Sequence, residues 1–469
     1  MELLLVCLAG LVGVGAQFVP GEECACSIHG SAVEGCPCGP ASIDQFNNED
    51  LLPLMEQILQ RDFFRYYRVN MEKPCPFWED ERQCSSEKCG IETCDERVPA
   101  ALREPIASQE EAPCTAAAEE EAGNKLDPLD TTISGAAQKA FASWRQFDDA
   151  ENKFCDADDD MSEDFHYVDL LLNPERYTGY KGNSAARVWK SIYQENCFKP
   201  NPKFDKNFLL HPTITGNMEG LCLEKRVFFR IISGLHSSIT VSIAANNFKE
   251  TPSAFPGGPV QGVWERNNEM FRARFSPETT WGEGPARLRN MYFLYLLEAR
   301  ALQKVGPYLR QEMFFTDNEA EDAETRHLIA RLQQVLSKLN GHFHEASMFQ
   351  GPHSRELKEE FRAHFLNISR IMDCVDCDKC RLWGKLQMHG IGAALKILLS
   401  PDLPRGAQTP PPNASTKEHL RHDAREIPFQ LTRNELVALM NSFGRFATNI
   451  GEVAAFRQTL GPPRPPEEL

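Results

Sequence analysis

Three cysteines lie within seven residues, at Cys374, Cys377 and Cys380, and this run constrains the chain more than any other feature. It lies inside a segment, 354–399, whose apolar residues recur at helical spacing. Unpaired backbone N–H groups at a helix start stabilise a thiolate, so a Cys-x-x-Cys pair there opens and closes a disulfide readily. Cys377 and Cys380 are therefore predicted to form a redox centre, and Cys374 is predicted to tie that centre to another part of the chain.

Other uses of the cysteine run are conceivable. An iron–sulfur site of this spacing continues into a fourth cysteine and a proline, whereas Gly384 and Lys385 follow here. A zinc knuckle requires a second pair of ligands, and His389 stands nearby without one. Three structural cysteines, each bridged elsewhere, are the alternative that the spacing leaves open.

The start of the chain and the cysteine count both indicate an oxidising compartment. Residues 1–16 form a short apolar run that ends in small residues, as in a cleaved secretory signal, although Glu2 stands where a positive charge is usual. Of 16 cysteines, Cys7 would leave with the signal, so an odd number remains and at least one is predicted to be unpaired. The sequons at Asn367 and Asn413 are predicted glycosylation sites in a translocated chain.

Size and charge narrow the classes of partner. A length of 469 residues alone predicts about three domains. Acidic residues number 67 against 50 basic ones, and the resulting charge of -17 argues against nucleic acid and anionic membrane surfaces as partners. Beyond the signal, no segment is predicted to span a membrane.

Apolar periodicity predicts a mainly α fold. The run 291–297 is apolar on all sides, which is typical of a helix at the centre of a core. Strand signals are scattered, and the Pro- and Gly-rich pieces 251–259 and 401–412 are predicted loops. The predicted helical segments are 44–67, 136–144, 185–193, 221–248, 287–309, 324–339, 354–399 and 432–459.

A second group of cysteines near the N-terminus predicts a small stapled hairpin. Cys24 and Cys26 face Cys36 and Cys38 across a short loop that contains glycine. Nested bridges, Cys24 with Cys38 and Cys26 with Cys36, would close it. We interpret this unit as structural.

The stretch 71–130 changes character and becomes rich in alanine and glutamate. Its low hydrophobicity predicts a long, poorly ordered loop. Cys84, Cys89 and Cys94 are evenly spaced and can pair in more than one way, as can Cys114 further on, and exposed small-loop disulfides are usually labile. The loop is thus either a mobile arm with exchangeable thiols or a loop stapled for stability, and the pattern leaves both open.

A thiol redox chain also needs a terminal electron acceptor. A flavin is the usual organic choice, because it takes an electron pair from a dithiol and can pass the pair to dioxygen. The Gly-x-Gly-x-x-Gly fingerprint is absent outside the signal, so a flavin here is not held on a Rossmann turn.

The helical part offers groups that suit such a cofactor. Ser233 and His236 are three residues apart on one helix face. Arg274 and Arg287 flank a turn, where their guanidinium groups could hold a pyrophosphate, and Trp189 could stack on a planar ring. Each residue alone is more common as core or surface, so pattern alone does not assign these roles.

Several longer segments strongly resemble the endoplasmic reticulum oxidoreductins, which are flavin-dependent thiol oxidases that re-oxidise protein disulfide isomerase. The resemblance runs from about Cys24 to the last helix, and the segment around Cys377 is highly specific. The C-terminus, 466–469, is no retrieval signal of the Lys-Asp-Glu-Leu kind, so retention would rest on partner binding. The segments that carry the resemblance are 74–78, 84–94, 167–182, 231–236 and 368–386.

This resemblance implies one helical domain, 17–469, wrapped round FAD, in which 71–130 is a mobile shuttle and regulatory loop. It implies an enzyme of the endoplasmic reticulum lumen, peripheral on the lumenal membrane, that drives oxidative protein folding. Its partners would be protein disulfide isomerase, related thioredoxin-like oxidoreductases and dioxygen, which is reduced to hydrogen peroxide. No metal is implied.

The resemblance also implies roles for particular residues. Cys377 and Cys380 match the inner, flavin-facing disulfide, and Cys84 and Cys89 match the outer shuttle disulfide. The matching FAD contacts are Arg176, Thr178, Trp189, Ser233, His236, Arg274 and Arg287.

The remaining cysteines take regulatory or structural roles by the same resemblance. An off state would pair Cys84 with Cys114 and Cys89 with Cys94. The implied structural bridges are Cys75 with Cys374 and Cys197 with Cys222, and Cys155 would be the unpaired thiol.

Two other function classes make different predictions. A metal-binding protein would hold stoichiometric zinc on the cysteine run, which elemental analysis would detect in place of a flavin spectrum. A secreted disulfide-rich interaction protein would resist mild reductant and show no oxidase activity.

Overall fold

The computed structural model describes residues 40–78, 90–103, 164–175, 183–195, 223–251, 261–310, 312, 314–339, 345–348, 354–400 and 431–460. The predicted signal, the N-terminal cysteine hairpin, the helix predicted at 136–144, and the loops predicted at 251–259 and 401–412 lie wholly or almost wholly outside these residues. So do Cys84, Cys89, Cys114, Cys155, Cys197, Cys222, Arg176, Thr178 and Asn413.

The described chain is mainly helical, as predicted, and carries two small sheets. The α-helices are α1 (Pro40–Phe46), α2 (Leu52–Leu59), α3 (Asp62–Arg65), α4 (Ala100–Arg103), α5 (Asn183–Gln194), α6 (Leu223–Ala245), α7 (Asn268–Phe275), α8 (Gly284–Lys304), α9 (Gly306–Leu309), α10 (Glu319–Ser337), α11 (Ser354–Ile371), α12 (Asp378–Leu399) and α13 (Arg433–Leu460). A π-helical turn, Asn47–Leu51, and 3-10 turns at Asp95–Arg97, Glu345–Met348 and Met372–Cys374 complete the helical elements. The strands are β1 (Tyr66–Val69), β2 (His166–Asp169), β3 (Asn247–Thr251) and β4 (Gln261–Glu265).

Four long helices, α6, α8, α12 and α13, form the centre of the molecule. Helix α8 packs lengthwise on α6 and also contacts α12 and α13, which pack on each other. Every residue from Met291 to Leu297 is buried, which confirms that this run is central. It is apolar on all sides because neighbouring helices cover all of its sides.

Two glycines let the central helices approach closely. A Cβ atom at Gly234 of α6 would lie 2.4 Å from the backbone oxygen of Asn290 on α8. A Cβ atom at Gly390 of α12 would lie 2.4 Å from Cβ of Ser442 and 2.6 Å from the oxygen of Ala438 on α13. Only glycine fits at these two crossings without displacing the backbone of the neighbouring helix.

Four of the predicted helical segments are interrupted or run into a strand. The segment 287–309 is divided at Val305 between α8 and α9, and 221–248 passes from α6 into β3. The segment 354–399 is not one helix, because it breaks between α11 and α12 at the 3-10 turn Met372–Cys374. The segment 44–67 begins at Pro40, passes through the π-helical turn and ends in strand β1. All residues of β1 are buried, as are many residues of the helices before it, so the pattern of apolar residues does not show where the strand begins.

The sheets are short antiparallel pairs. Strand β1 pairs with β2, with Tyr66 opposite Asp169 and Val69 opposite His166, and β3 pairs with β4. The first sheet matters for the site, because its β2 edge also carries a bridge from Thr93 to Val168. The cysteine-rich segment therefore returns to the folded part of the chain at this edge.

One stretch of α6 satisfies the criteria for a membrane span. By length and composition, Val227–Ala245 is a candidate within the described residues, with a mean hydropathy of 1.4. Because 78% of it is buried inside the protein, it is equally consistent with a core helix.

Asn367, a predicted glycosylation site, is buried in the folded chain. Asn367 lies on α11 and is only 1% exposed. Its Nδ2, the atom to which a glycan is attached, donates a hydrogen bond to Oε2 of Glu195 at 3.2 Å, and Nδ1 of His364 lies 2.6 Å from the same oxygen. Glycans are usually carried at surface positions, and glycosylation at Asn367 remains a prediction.

Candidate active site

The Cys377 and Cys380 pair forms the N-terminus of α12. Cys377 is the N-cap residue, with extended backbone at φ −81° and ψ 114°, and its sulfur accepts a hydrogen bond from the N–H of Cys380 at 3.4 Å. A sulfur thus takes the place of the usual capping oxygen. Cys377 is buried and Cys380 is partly exposed, so solvent reaches the pair from the side of Cys380.

A disulfide joins Cys75 to Cys374, the pair that the resemblance implied. Cys374 stands three residues before Cys377, so the bridge ties the segment before the cysteine-rich loop to the start of α12. A bridged sulfur supplies no thiolate ligand. The cysteine run therefore offers only two of its three sulfurs to a metal, and no group of three metal-ligating side chains occurs within the described ranges.

Two side chains of α12 bind backbone oxygens of neighbouring segments. The guanidinium of Arg381 donates from Nε to the oxygen of Val375 at 2.7 Å and from Nη1 to the oxygen of Met71 at 2.6 Å. Nε1 of Trp383 donates to the oxygen of Asn173 at 2.9 Å. The redox pair is thus held against both the start of the cysteine-rich segment and the segment that leads to Arg176.

Cys94 anchors the chain on the C-terminal side of Cys84 and Cys89, so we call residues 75–94 the cysteine-rich segment. Its backbone N–H donates to the oxygen of Tyr167 on β2 at 2.9 Å, and its side chain is only 5% exposed. In the part of the chain that the structure describes, Cys94 carries a free thiol. Burial, and then the charges of Asp169 and Asp95, raise the pKa of the Cys94 thiol to about 11, so it is protonated and unreactive near neutral pH.

A second group of predicted residues meets between α5 and α6. The rings of Trp189 and His236 are stacked, with centroids 3.7 Å apart and planes 18° from parallel. The hydroxyl of Tyr193, one turn beyond Trp189, lies 2.8 Å from Nδ1 of His236. These three side chains form an aromatic wall on which a planar ring could pack.

The electrostatics of this wall keep its histidine neutral. Burial, followed by the nearby charges of Arg274 and Arg287, lowers the pKa of His236 to about 3. Burial raises the pKa of Tyr193, although the charge of Arg287 and the nearby Ser233 hydroxyl oppose the rise. At neutral pH both groups are therefore uncharged hydrogen-bonding partners.

Two arginines stand beside the wall. Trp281 and Gly282 adopt positive φ values of 54° and 83°, and the resulting turn brings the end of α7 back to the start of α8. Nη2 of Arg287 donates to Oε2 of Glu283 at 2.7 Å, and Nη1 donates to the oxygen of Arg274 at 3.3 Å.

Hydrogen bonds connect the redox helix to α6. Nε2 of Gln387 donates to the hydroxyl of Ser238 at 2.9 Å, and Gln387 lies two turns beyond Cys380, about 10 Å along α12. Arg445 of α13 bonds to both Gln387 and Glu175. Glu175 immediately precedes Arg176, so the predicted Arg176 and Thr178 contacts continue from a residue that is anchored beside both helices.

The described members of the predicted cofactor set therefore lie together. They are Trp189, Ser233, His236, Arg274 and Arg287. Two cations, an aromatic plane and neutral donors suit a molecule with a diphosphate and a flat ring system, so these residues fit a flavin dinucleotide.

Sequence reasoning missed three residues of this cleft. Tyr193 is four residues after Trp189, a helical spacing that could have identified it. Glu283 is likewise four residues before Arg287. Asn290 gave no signal, because its contacts, described below, are made across helices far apart in sequence.

The fold is helical and one of its helices begins with a Cys-x-x-Cys pair. Cys374, just before that pair, is bridged to the start of the cysteine-rich segment. These features together define the class of thiol oxidoreductases. The sequence matches the family described as Endoplasmic Reticulum Oxidoreductin 1 over residues 50–453. The chain belongs to the endoplasmic reticulum oxidoreductin family, whose role is in oxidative protein folding.

Relatives match over nearly the whole chain. Endoplasmic reticulum oxidoreductin-1 of Caenorhabditis elegans is 50% identical and covers 98% of this chain and 95% of its own length. ERO1-like protein alpha of Mus musculus is 42% identical, covering 97% of this chain and 98% of its own length. A solved structure of a cysteine-to-alanine mutant of Saccharomyces cerevisiae Ero1p is similar with a TM-score of 0.53, at 27% identity over 90% of this chain and 98% of that one.

Proposed function

We propose that this protein is an FAD-dependent thiol oxidase of the endoplasmic reticulum lumen that re-oxidises protein disulfide isomerase and related thioredoxin-like oxidoreductases. One observation carries the proposal. The Cys377 and Cys380 pair begins a helix that contacts the helix of His236, and the Cys75–Cys374 disulfide joins the same helix start to the segment that holds Cys84 and Cys89.

The cleft residues would hold the cofactor. Arg274 and Arg287 would bind the diphosphate, Trp189 would stack on a ring, and Ser233 and His236 would donate hydrogen bonds. Arg176 and Thr178 would complete the set from the segment after Glu175. When bound, FAD would accept an electron pair from a dithiol and pass it to dioxygen.

The cysteines would move the electrons by disulfide exchange. A thiolate of reduced isomerase attacks the Cys84–Cys89 disulfide through a mixed disulfide, and the isomerase leaves oxidised. The resulting dithiol then reduces the Cys377–Cys380 disulfide in the same way. In each cycle two isomerase thiols lose two electrons and two protons, and one dioxygen becomes one hydrogen peroxide.

The anchoring of the loop makes this transfer geometrically possible. Cys84 is nine residues after Cys75, and Cys377 is three residues after Cys374. At roughly 3.5 Å for each extended residue, the shuttle cysteine can travel about 30 Å from the bridge and the inner pair lies within about 10 Å of it. No rearrangement of the helical core is required.

The off state would use the same loop. Pairing Cys84 with Cys114 and Cys89 with Cys94 would remove the shuttle disulfide. The buried, protonated Cys94 thiol supports slow entry into that state, because only a thiolate attacks a disulfide. The further bridges Cys24–Cys38, Cys26–Cys36 and Cys197–Cys222 remain predictions, as do glycosylation at Asn413, a single domain over 17–469 and peripheral association with the lumenal membrane.

Purified protein should be yellow and should consume dioxygen when reduced isomerase is added. In Cys380→Ala, turnover should stop while bound flavin remains, because the sulfur lost is part of the inner pair and not of the cleft. Cys155→Ala is the matched control and should keep full activity. A colourless wild-type protein, or a Cys380→Ala variant that still turns over, would contradict the proposal.

A second comparison separates the two disulfides. Because Cys380 is partly exposed, a small dithiol such as dithiothreitol should reach the inner pair directly. The double variant Cys84→Ala, Cys89→Ala should therefore lose oxidation of isomerase but keep oxidation of dithiothreitol. Equal loss with both substrates would show that the outer cysteines do not act as a shuttle.

A further inference from the structure

A buried arginine lies behind the cleft without an acidic partner in the described residues. Arg230 of α6 is 1% exposed, its Nη1 makes no hydrogen bond, and its guanidinium carbon lies 4.3 Å from the ring centroid of Phe293. Burial and the charge of Arg289 lower its pKa to about 9, so it remains a cation at neutral pH. A buried cation of this kind is costly and calls for an explanation.

The cation fixes the orientation of one amide. Nε of Arg230 donates to Oδ1 of Asn290 at 3.0 Å. A guanidinium only donates hydrogen bonds, so Asn290 must present its oxygen to Arg230 and its NH₂ group to the other side. That NH₂ group donates to the hydroxyl oxygen of Ser233 at 3.0 Å. The missing Cβ of Gly234 allows Asn290 to come close enough to α6 for both bonds.

Ser233 must then donate its own proton elsewhere. Nearby hydroxyls on the same helix give theirs back to the preceding turn, as Ser237 does to the oxygen of Ser233 at 2.7 Å and Thr240 to that of His236 at 2.7 Å. Within the described residues the Ser233 hydroxyl donates no such bond, so its proton is left for a group in the cleft.

We propose that Arg230 and Asn290 are positioning residues that hold Ser233 as the acceptor of the Asn290 amide, so that the Ser233 hydroxyl presents its proton to an acceptor atom of the bound flavin dinucleotide. The inference rests on the proposed function, because it assumes that the cleft holds FAD. Neither Arg230 nor Asn290 needs to touch the cofactor. Their effect is to keep one lone pair of Ser233 occupied by Asn290 and its proton directed towards the cofactor.

Two substitutions separate positioning from packing. Asn290→Asp keeps the size of the side chain and gives Arg230 an ionic partner, but its carboxylate accepts the hydrogen bond of the Ser233 hydroxyl and so takes that proton away from the cofactor. Arg230→Met removes a buried unpaired charge, which should leave folding stability unchanged or raised, and frees Asn290 to turn over. Each variant should release FAD about tenfold faster, the effect of losing about one hydrogen bond.

The measurement follows the fluorescence of FAD released after dilution of the holoenzyme, with the unfolding midpoint taken from circular dichroism. Thr325→Val is the control, because it removes a buried hydroxyl of α10 that bonds only to the preceding turn, at the oxygen of Glu321 at 2.8 Å, and it should release FAD at the wild-type rate. Wild-type release rates in both test variants would overturn the proposal, as would a release rate that rises only where the midpoint falls.

A wild-type protein that binds no FAD would defeat the proposed function. Flavin-bound wild type with unaffected variants would defeat the positioning inference alone.

Discussion

His236 combines several properties in one residue. It stacks on Trp189, shares a hydrogen bond with Tyr193 and lies close to two arginines, yet it is itself uncharged at neutral pH. A protonated imidazole here would add a third cation to the cleft. In the proposed site His236 would therefore act as a neutral group, and the cations would be Arg274 and Arg287.

This arrangement predicts a pH dependence of folding. The pKa of His236 is lowered from 6.5 to about 3 in the folded chain, so below 6.5 the unfolded state binds a proton that the folded state does not. The free energy of unfolding should therefore fall as pH drops below 6.5, and at pH 5.5 His236 should lower it by about 1 kcal/mol. Urea unfolding of wild type and His236→Asn at pH 7.5 and 5.5, with excess FAD, measures it.

The variant should lose less stability between the two pH values than the wild type does. If both lose the same amount, His236 is not held neutral in the folded protein.

At this scale the sequence predicted the residues of the cleft but not their connections. Pattern alone gave Ser233 and His236 a shared helix face, and the family resemblance gave them a role. It gave no reason to connect Arg230 with Asn290, since these bonds cross between α6 and α8 and depend on the gap left by Gly234. A buried arginine cannot be told from a surface arginine by its type.

Helix α12 joins the chemistry at its N-terminus to the core. Its first turn carries the redox pair, and Gln387 ties it to α6 two turns later. Further along, Gly390 allows α13 to approach. Since one helix connects these points, the way α12 packs on α13 should determine the position of the cysteines.

Gly390→Ala should disturb this packing. The added Cβ atom would meet the Ser442 side chain at 2.4 Å and backbone of α13 at 2.6 Å, and overpacking of this kind typically costs about 1–3 kcal/mol. Gly451→Ala is a matched control on α13, because its Cβ atom would meet only the side chains of Leu52 at 3.2 Å and Asn48 at 3.4 Å. The measurement is a comparison of the unfolding midpoints of Gly390→Ala and Gly451→Ala.

The control should be neutral or stabilising, because alanine is the better helix former by up to about 1 kcal/mol. Equal midpoints for the two variants would mean that α12 can shift on α13 without cost.

Element boundaries show why periodicity has limits. The apolar spacing of 354–399 runs on across the turn at Met372–Cys374, because both sides of the break face the same core. The break begins at Val375, whose backbone is extended, and ends at Cys377, whose backbone is also extended and which caps α12. A capping cysteine is uncommon, so the usual signals of a helix start were missing there.

At the scale of the whole molecule, the Cys75–Cys374 bridge joins positions 299 residues apart. It connects the beginning of the cysteine-rich segment to the start of α12, while Cys94 holds the other end of that segment on β2. Both ends of the segment 79–89 are therefore anchored. Chain length alone predicted about three domains and gave no indication of this bridge. The buried apolar residues of the described chain form one continuous core.

Replacing both bridge cysteines, Cys75→Ser with Cys374→Ser, tests this anchoring. Loss of a bridge across so long a loop should lower stability by roughly 2–5 kcal/mol, seen as a lower thermal midpoint. Oxidation of isomerase should fall more than oxidation of dithiothreitol, because only the first needs the anchored segment. Parallel losses with the two substrates would show that the bridge serves stability alone.

The anchoring also has a kinetic consequence. In the proposed mechanism, a shuttle disulfide that begins nine residues after Cys75 would meet the inner pair at an effective concentration of the order of millimolar, whatever the amount of enzyme present. Dilution should therefore slow the encounter with the isomerase but leave the internal exchange unchanged. Each molecule would recharge its own outer pair, and neighbouring copies would have little opportunity to trade electrons.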